Sequence, residues 1–103
     1  MNTHEKVSEV ERICGHHFTD KRLITSAITH PSAVEGKPVS ASYERLEFLG
    51  DSILGAIVAT ELFERFPGLD EGALTRLKIS LVSGETLSEV SGDLGIAPLI
   101  VVG

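Results

Sequence analysis

The stretch from Tyr43 to Phe66 constrains the fold more than any other part of the sequence. It holds no proline, its apolar residues recur at helical spacing, and Pro67-Gly68 follows it directly. Proline cannot continue a helix, and Ser42 stands before the stretch in the position of an N-cap. The sequence therefore predicts one long central helix from Tyr43 to Phe66, against which the rest of the chain must pack.

Four shorter helices are predicted around the central helix. The first covers residues 4–14 and ends at Gly15, and the other three begin at capping residues. The caps are Asp20, Asp70 and Ser83, and the stops for the second and last helices are His30-Pro31 and Gly95. The second helix has one apolar face, made of Leu23, Ile24, Ala27 and Ile28. Residues 32–42 are predicted to be a loop, and only Leu99 to Val102 has a strand pattern, so the expected fold class is all-α.

Size and hydropathy fit one small domain. The chain has 103 residues, of which 42% are hydrophobic, which leaves no room for a second core. The uncharged run of the central helix, Ser52 to Thr60, is far shorter than the roughly 18 to 20 residues that a membrane span needs, and the first 14 residues are too charged for a signal peptide. We expect a soluble, cytoplasmic protein.

The single cysteine, Cys14, cannot form a disulfide within the chain. It continues an apolar stripe with Val7, Val10 and Ile13, so we expect a small buried core residue in a reducing compartment.

The charge balance is acidic. A net charge of −6 and a pI near 5.1 argue against a nucleic-acid binder that depends on a basic patch. An acidic excess also accompanies sites for divalent cations, since hard cations prefer carboxylate oxygens. Charge alone leaves both interpretations open.

The start of the central helix carries three carboxylates on one face. With Glu44 at zero and about 100° per residue, Glu47 falls at about 300° and Asp51 at about 340°. One interpretation is a solvated acidic face. The other is a metal site, because Mg²⁺ keeps several waters and takes one or two carboxylates directly.

The residues that follow favour the metal site. From Ile53 to Ala59 the helix is apolar all round, which predicts that it is buried. Carboxylates beside a buried helix need a compensating cation, and we expect Mg²⁺ to supply it, with some help from Arg45.

Phe48 lies at about 40° on the same wheel, away from the main apolar stripe. Either another helix of the same domain covers it, or a partner subunit does. Gly50 and Gly55 each cost about 1 kcal/mol inside a helix, so we expect another backbone to approach them closely.

The run from Glu44 to Leu54 resembles the signature of the ribonuclease III family, without a gap or a substitution. Thr29-His30-Pro31-Ser32 is similar to a segment upstream of that signature. Arg65-Phe66-Pro67 and Asp70-Glu71-Gly72 are similar to the connection after it, and the likeness continues through Leu94-Gly95. The resemblance covers the chain from about residue 5 to its end.

The resemblance implies a helical endonuclease domain that hydrolyses double-stranded RNA with Mg²⁺, or with Mn²⁺ as a substitute. It implies that Glu47 and Asp51 ligate the metal and that Glu44 and Glu71 are further catalytic acids. Ser52 is expected to orient a neighbouring carboxylate. For Glu71 a second interpretation stands, an acid at a helix start that is stabilised by the helix dipole.

The resemblance also implies a two-fold homodimer in which Phe48 inserts into a socket on the other subunit. In this family a second acidic pair, an aspartate and a glutamate three residues later, completes the metal site on a later helix. Asp93 is followed at that spacing by Ile96. We therefore expect residues 1–103 to be a partial endonuclease domain, truncated before its last helices and without a double-stranded RNA-binding domain.

Two consequences are expected of such a partial domain. The chain alone should have little or no activity, because one acidic pair is absent. The uncovered apolar face of the central helix should drive oligomerisation, or the tail Leu99 to Val102 should pack over it. The rival hypothesis is a non-catalytic ribonuclease III-like module for dimerisation or RNA scaffolding, although a scaffold has no need of Glu47 and Asp51.

The four histidines do not form a metal cluster in the sequence. His4, His16 and His17 are predicted to lie on the surface, since no cysteine or carboxylate frames them at ligand spacing. His30 is expected to fix the loop around Pro31 by hydrogen bonding rather than to act as a general base.

Overall fold

The first helix, α1, spans Thr3–Cys14 in the computed structural model, which describes all residues from 1 to 103. A capping box begins it: the Asn2 side chain accepts from the Glu5 amide at 2.8 Å, and the Glu5 carboxylate accepts from the Asn2 amide at 3.1 Å. Gly15 ends it in the left-handed conformation, with φ at 65°. The predicted helix and its glycine stop are confirmed.

Three further helices also begin where their caps predict. The Asp20, Asp70 and Ser83 side chains accept hydrogen bonds from backbone amides two or three residues later. The elements are α2 Lys21–Ala27, α3 Glu44–Arg65, α4 Glu71–Leu81 and α5 Gly84–Leu94. The loop before α3 holds two single 3₁₀ turns, Pro31–Ala33 and Val39–Ala41. The predicted all-α class is confirmed.

The start of α3 differs from the prediction. Tyr43, not Ser42, is the N-cap, and its side chain makes no capping hydrogen bond. Ser42 is buried, and its hydroxyl lies 3.5 Å from the Glu44 amide, at the limit for a hydrogen bond. The Tyr43 amide instead donates to the Thr29 carbonyl at 3.0 Å, which ties the start of α3 to the end of α2.

The end of the chain forms no strand. Ala97–Leu99 is a 3₁₀ turn, and Val101 makes one parallel bridge with Thr29. The strand pattern of Leu99 to Val102 gives no more than this bridge, because only two backbone hydrogen bonds form there, from Val101 to Ile28 and from His30 to Val101, each 2.8 Å long. The prediction that this tail covers α3 is also wrong, because it packs on α1 and α2.

The core lies between α1, α2 and this tail. It consists of Val7, Val10, Ile24, Ile28 and Leu99. Leu23 and Ala27, predicted to share the buried face of α2, are exposed, because α2 meets α1 on one side only. Cys14 is exposed as well, and its predicted burial is wrong: the cluster ends at Ile13, one residue before it.

Glu11 joins α1 to α2 through a buried carboxylate. One of its oxygens accepts from the Lys21 ammonium at 2.5 Å, from the Phe18 amide at 2.7 Å and from the His17 ring at 3.2 Å. The hydrogen bond from Lys21, followed by that from Phe18, lowers the pKa of Glu11 to about 2. The periodicity of α1 gives no sign of this contact.

Because the pKa of Glu11 is lower in the folded chain than its ordinary value of 4.5, its contribution to stability is present above pH 4.5 and is lost as pH falls toward about 2. Glu11→Gln should lower the melting temperature at pH 6 by several degrees and flatten its dependence on pH between 4.5 and 2. Thermal unfolding by circular dichroism measures both effects. Glu35→Gln, in an exposed loop, is the matched control, and equal curves for the two variants would contradict the assignment.

Most side chains of the long helix α3 are exposed to solvent. Leu62 is its only buried residue, and Ile53 and Ile57 are 50% and 61% exposed. The radius of gyration is 16.0 Å, whereas about 13 Å is typical of a chain of this length. The predicted burial of residues 53–59 is therefore wrong for the isolated chain. An apolar sequence makes a helix suitable for burial, but it does not show which other element covers the helix. No helix is both long enough and apolar enough to cross a lipid bilayer.

Candidate metal centre

Three carboxylates line the first two turns of α3. Glu44 and Glu47 belong to its first turn, and Asp51 follows Glu47 at the spacing that brings side chains together on one face, about 6 Å apart at their origins. All three are exposed, and none forms an ion pair. The predicted compensation by Arg45 is wrong, since Arg45 is exposed and also forms no ion pair.

The donor set fits part of a magnesium site. No group of three or more histidine, cysteine, aspartate or glutamate side chains converges to hold a metal ion. Mg²⁺ takes one or two carboxylates and completes its shell with water, and Glu47 and Asp51 supply two carboxylates one helical turn apart. The chain thus presents a half-site that is open to solvent. Ser52 makes no side-chain hydrogen bond to either carboxylate, so its predicted orienting role has no support here.

Glu71 lies apart from the other acids. It is the first residue of α4, which runs back along α3, and it borders a groove of about 340 Å³ with Ala59 and Phe63. Ala59 is eight residues beyond Asp51, or about 12 Å along the helix axis. Within one chain Glu71 is therefore not brought to Glu44, Glu47 and Asp51, and its catalytic role stays a prediction.

Phe48 projects beside the carboxylates. Its side chain is 80% exposed, so the possibility that another helix of the same chain covers it is wrong. It borders a groove of about 710 Å³ between the start of α3 and the loop before it. The apolar residues of that groove are Leu23, Val39, Leu46, Phe48 and Leu49. An aromatic side chain and an apolar groove thus lie next to each other on one surface.

No other backbone of this chain lies against the glycines of α3. A side chain at Gly50 would meet nothing within 4 Å, and one at Gly55 would meet only the side chain of Lys78. A Cβ atom at Gly55 would lie 3.5 Å from Lys78 Cε and 3.6 Å from its Nζ. The predicted backbone approach does not occur within this chain, and Lys78 is absent from the residues predicted for the site. The one sequence signal for it is that Gly55 falls at about 20° on the wheel, on the acidic face itself.

The histidines lie where predicted. His30 Nδ1 accepts from the Ser32 amide at 3.1 Å and lies 2.8 Å from the Ser32 hydroxyl, and its ring packs edge-on against Tyr43 at 5.8 Å. His30 thus fixes the loop, as expected. His4, His16 and His17 are exposed.

Comparison with known proteins shows the family of the chain. The family model for the ribonuclease III domain matches residues 44–102, more than half of the chain. Ribonuclease 3 of Colwellia psychrerythraea is 42% identical over 103 residues, and that of Methylocella silvestris is 45% identical over 97 residues. The chain belongs to the ribonuclease III family. The match begins at Glu44, so the family signature includes the acidic face of α3.

Solved ribonuclease III structures share the fold. A nuclease domain from Campylobacter jejuni, described for structural flexibility in a region involved in dimer formation, gives a TM-score of 0.85 at 31% identity. That match covers 94% of this chain and 65% of the other. A second structure of the same nuclease domain gives a TM-score of 0.82 at 32% identity and covers all of this chain. The helical ribonuclease III nuclease fold is confirmed.

The chain matches only part of the length of its relatives. The chain spans 36% of the ribonuclease 3 of Colwellia psychrerythraea and 40% of that of Methylocella silvestris, although 100% and 94% of the chain is matched. It also spans 65% of the solved nuclease domains.

Proposed function

We propose that this chain supplies the signature-helix portion of an endoribonuclease that hydrolyses phosphodiester bonds of double-stranded RNA. The observation that carries the proposal is the solvent-facing row of Glu44, Glu47 and Asp51 on α3, within the region that matches the ribonuclease III domain. A duplex substrate can reach such an open face without any rearrangement of the chain. Double-stranded RNA is recognised mainly by its shape, its phosphates and its 2′-hydroxyls, so cleavage should have limited sequence preference.

Glu47 and Asp51 are the residues that would hold Mg²⁺, or Mn²⁺ in its place. When bound, the metal activates water and stabilises negative charge on the leaving oxygen. The two carboxylates fix the ion on a rigid helix, and Glu44, one turn before, adds negative charge that favours a divalent cation over a monovalent one. Glu71 acts as a further acid of the cleavage site only if another subunit or segment brings it close.

The active form is a two-fold homodimer joined through Phe48. In a two-fold interface the same patch serves both subunits, so a knob and a groove must lie side by side on one surface. Phe48 and the groove beside Leu23 and Val39 meet this requirement. Two copies would present two acidic faces to the two strands of a duplex.

The direct test is cleavage of a labelled RNA duplex. The 103-residue chain should cleave little or not at all, because it contains one of the two acidic pairs that the family resemblance implies. A chimera that adds the portion of the Campylobacter jejuni nuclease domain beyond the matched region should cleave with Mg²⁺, and chelator should stop it. Strong metal-dependent cleavage by the chain alone would contradict the half-site. A well-folded chimera that binds RNA without cutting it would favour the scaffolding module.

A further inference from the structure

Lys78 differs from the other three lysines of the chain. The Lys6 ammonium donates to the Ile100 carbonyl at 3.3 Å, and the Lys21 ammonium pairs with Glu11. Lys37 lies exposed in the loop before α3. Lys78 is half-buried, yet it forms no ion pair and its ammonium makes no hydrogen bond to the chain. Its charge is therefore available to a ligand.

The position of Lys78 is set by Gly55. Glu47, Asp51 and Gly55 follow one another at four-residue intervals, so they form one row along α3. Because Gly55 has no side chain, the end of Lys78 reaches across from α4 and lies over that row, with Nζ 3.6 Å from where a Cβ atom of residue 55 would be. The ammonium group thus occupies the next place in the row after Asp51.

A cation in this place reduces the electrostatic repulsion between the acidic row and the phosphates of RNA. Carboxylates repel the phosphates of a nucleic acid, and the chain as a whole carries a net charge of −6. Lysine binds phosphate as a point charge, and its aliphatic stem can rest on apolar surface while the ammonium faces water. An unpaired lysine at the end of the acidic row is placed to receive a phosphate that approaches the metal half-site.

We propose that Lys78 is a substrate-positioning residue whose ammonium group, held over Gly55, binds a backbone phosphate of double-stranded RNA one helical turn beyond Asp51. This inference rests on the function proposed above, and it names a contact that the acidic residues cannot make. Gly55 is the residue that permits the contact, since a large side chain there would push the lysine off the row.

The test is a titration of the 103-residue chain, labelled with ¹³C at lysine, with a 12-base-pair RNA duplex in Mg²⁺. The Cε signal of Lys78 should shift with RNA, while those of Lys6 and Lys21 should not. Lys78→Met should weaken binding roughly five- to tenfold at 0.1 M salt and reduce the salt slope by about 0.9, the value for one phosphate contact. Lys78→Arg should restore the slope, and Lys37→Met is the matched control.

A second pair of variants separates position from charge. Gly55→Ala places a Cβ atom at ordinary contact distance from Lys78, so RNA binding should be retained. Gly55→Leu keeps the lysine but displaces it, and should weaken binding as much as Lys78→Met. The inference would be overturned if RNA bound without moving the Lys78 signal and if Lys78→Met left the salt dependence of binding unchanged. The proposed function would then still stand. No binding by the unaltered chain would contradict both.

Discussion

Asp51→Asn should weaken the binding of Mn²⁺ to α3 by at least about tenfold. The half-site offers two carboxylates, and an amide oxygen carries no charge to replace the one that is removed. No carboxylate takes the place of Asp51, since Asp51 forms no ion pair and no group of three or more metal-binding side chains converges elsewhere in the chain. In the cleavage-competent chimera the same variant should lose nearly all activity.

Paramagnetic broadening of the backbone amides measures this effect on the chain itself. Mn²⁺ should broaden the signals around Glu47 and Asp51 first, and Asp51→Asn should leave them sharp at the same metal concentration. Asp93→Asn, an equivalent change on the exposed face of α5, is the matched control and should alter nothing near α3. Equal broadening in the chain and in its Asp51→Asn variant would remove Asp51 from the metal site.

Phe48→Ala should convert the proposed homodimer to monomers. An aromatic side chain that is 80% exposed in one subunit can bury most of its surface in a partner's groove. Aromatic residues at the centre of an interface commonly contribute about 2 to 4 kcal/mol, which corresponds to a rise in Kd of about 30- to 1,000-fold. The fold of α1 and α2 should be unaffected, because Phe48 is not part of their core.

Sedimentation velocity over a range of protein concentrations measures the change. Phe63→Ala is the matched control, because Phe63 lies on the same helix and is 73% exposed, but lies far from the groove beside Leu23 and Val39. Its dimer should dissociate much like that of the unaltered chain. If Phe63→Ala weakened the dimer as much as Phe48→Ala, non-specific apolar contacts along the exposed face of α3 would explain the association better than the insertion of Phe48 into a groove.

The sequence predicted the features that depend on neighbouring residues. The caps Asp20, Asp70 and Ser83 and the stops Gly15 and Gly95 were readable because each acts within one helical turn. The start of α3 was misplaced by one residue, because it is fixed by the distant carbonyl of Thr29 rather than by a local cap.

Packing was less predictable than helix bounds. Periodicity showed that α3 has apolar residues on every side, but burial depends on what lies against them, and in this chain Ile53 and Ile57 face solvent. The predicted burial of Cys14 is wrong for the same reason. Cys14 continues the apolar stripe of α1, but it lies one residue beyond Ile13, the last side chain of that stripe to pack against the core. For the candidate site, the wheel placed Glu44, Glu47 and Asp51 correctly on one helix face. Lys78 could not be found this way, because its place beside Gly55 depends on the register between two helices.

The contact of the tail with α1 and α2 also sets the order in which the chain can finish folding during synthesis. Leu99 completes the core around Ile28, but it follows 71 residues later in the chain. At about 5 to 20 residues per second, the ribosome needs roughly 4 to 14 s to add that stretch. Through this interval the nascent α1 and α2 expose the apolar side chains that Leu99 will cover. The first helices made are therefore among the last to bury their apolar side chains completely.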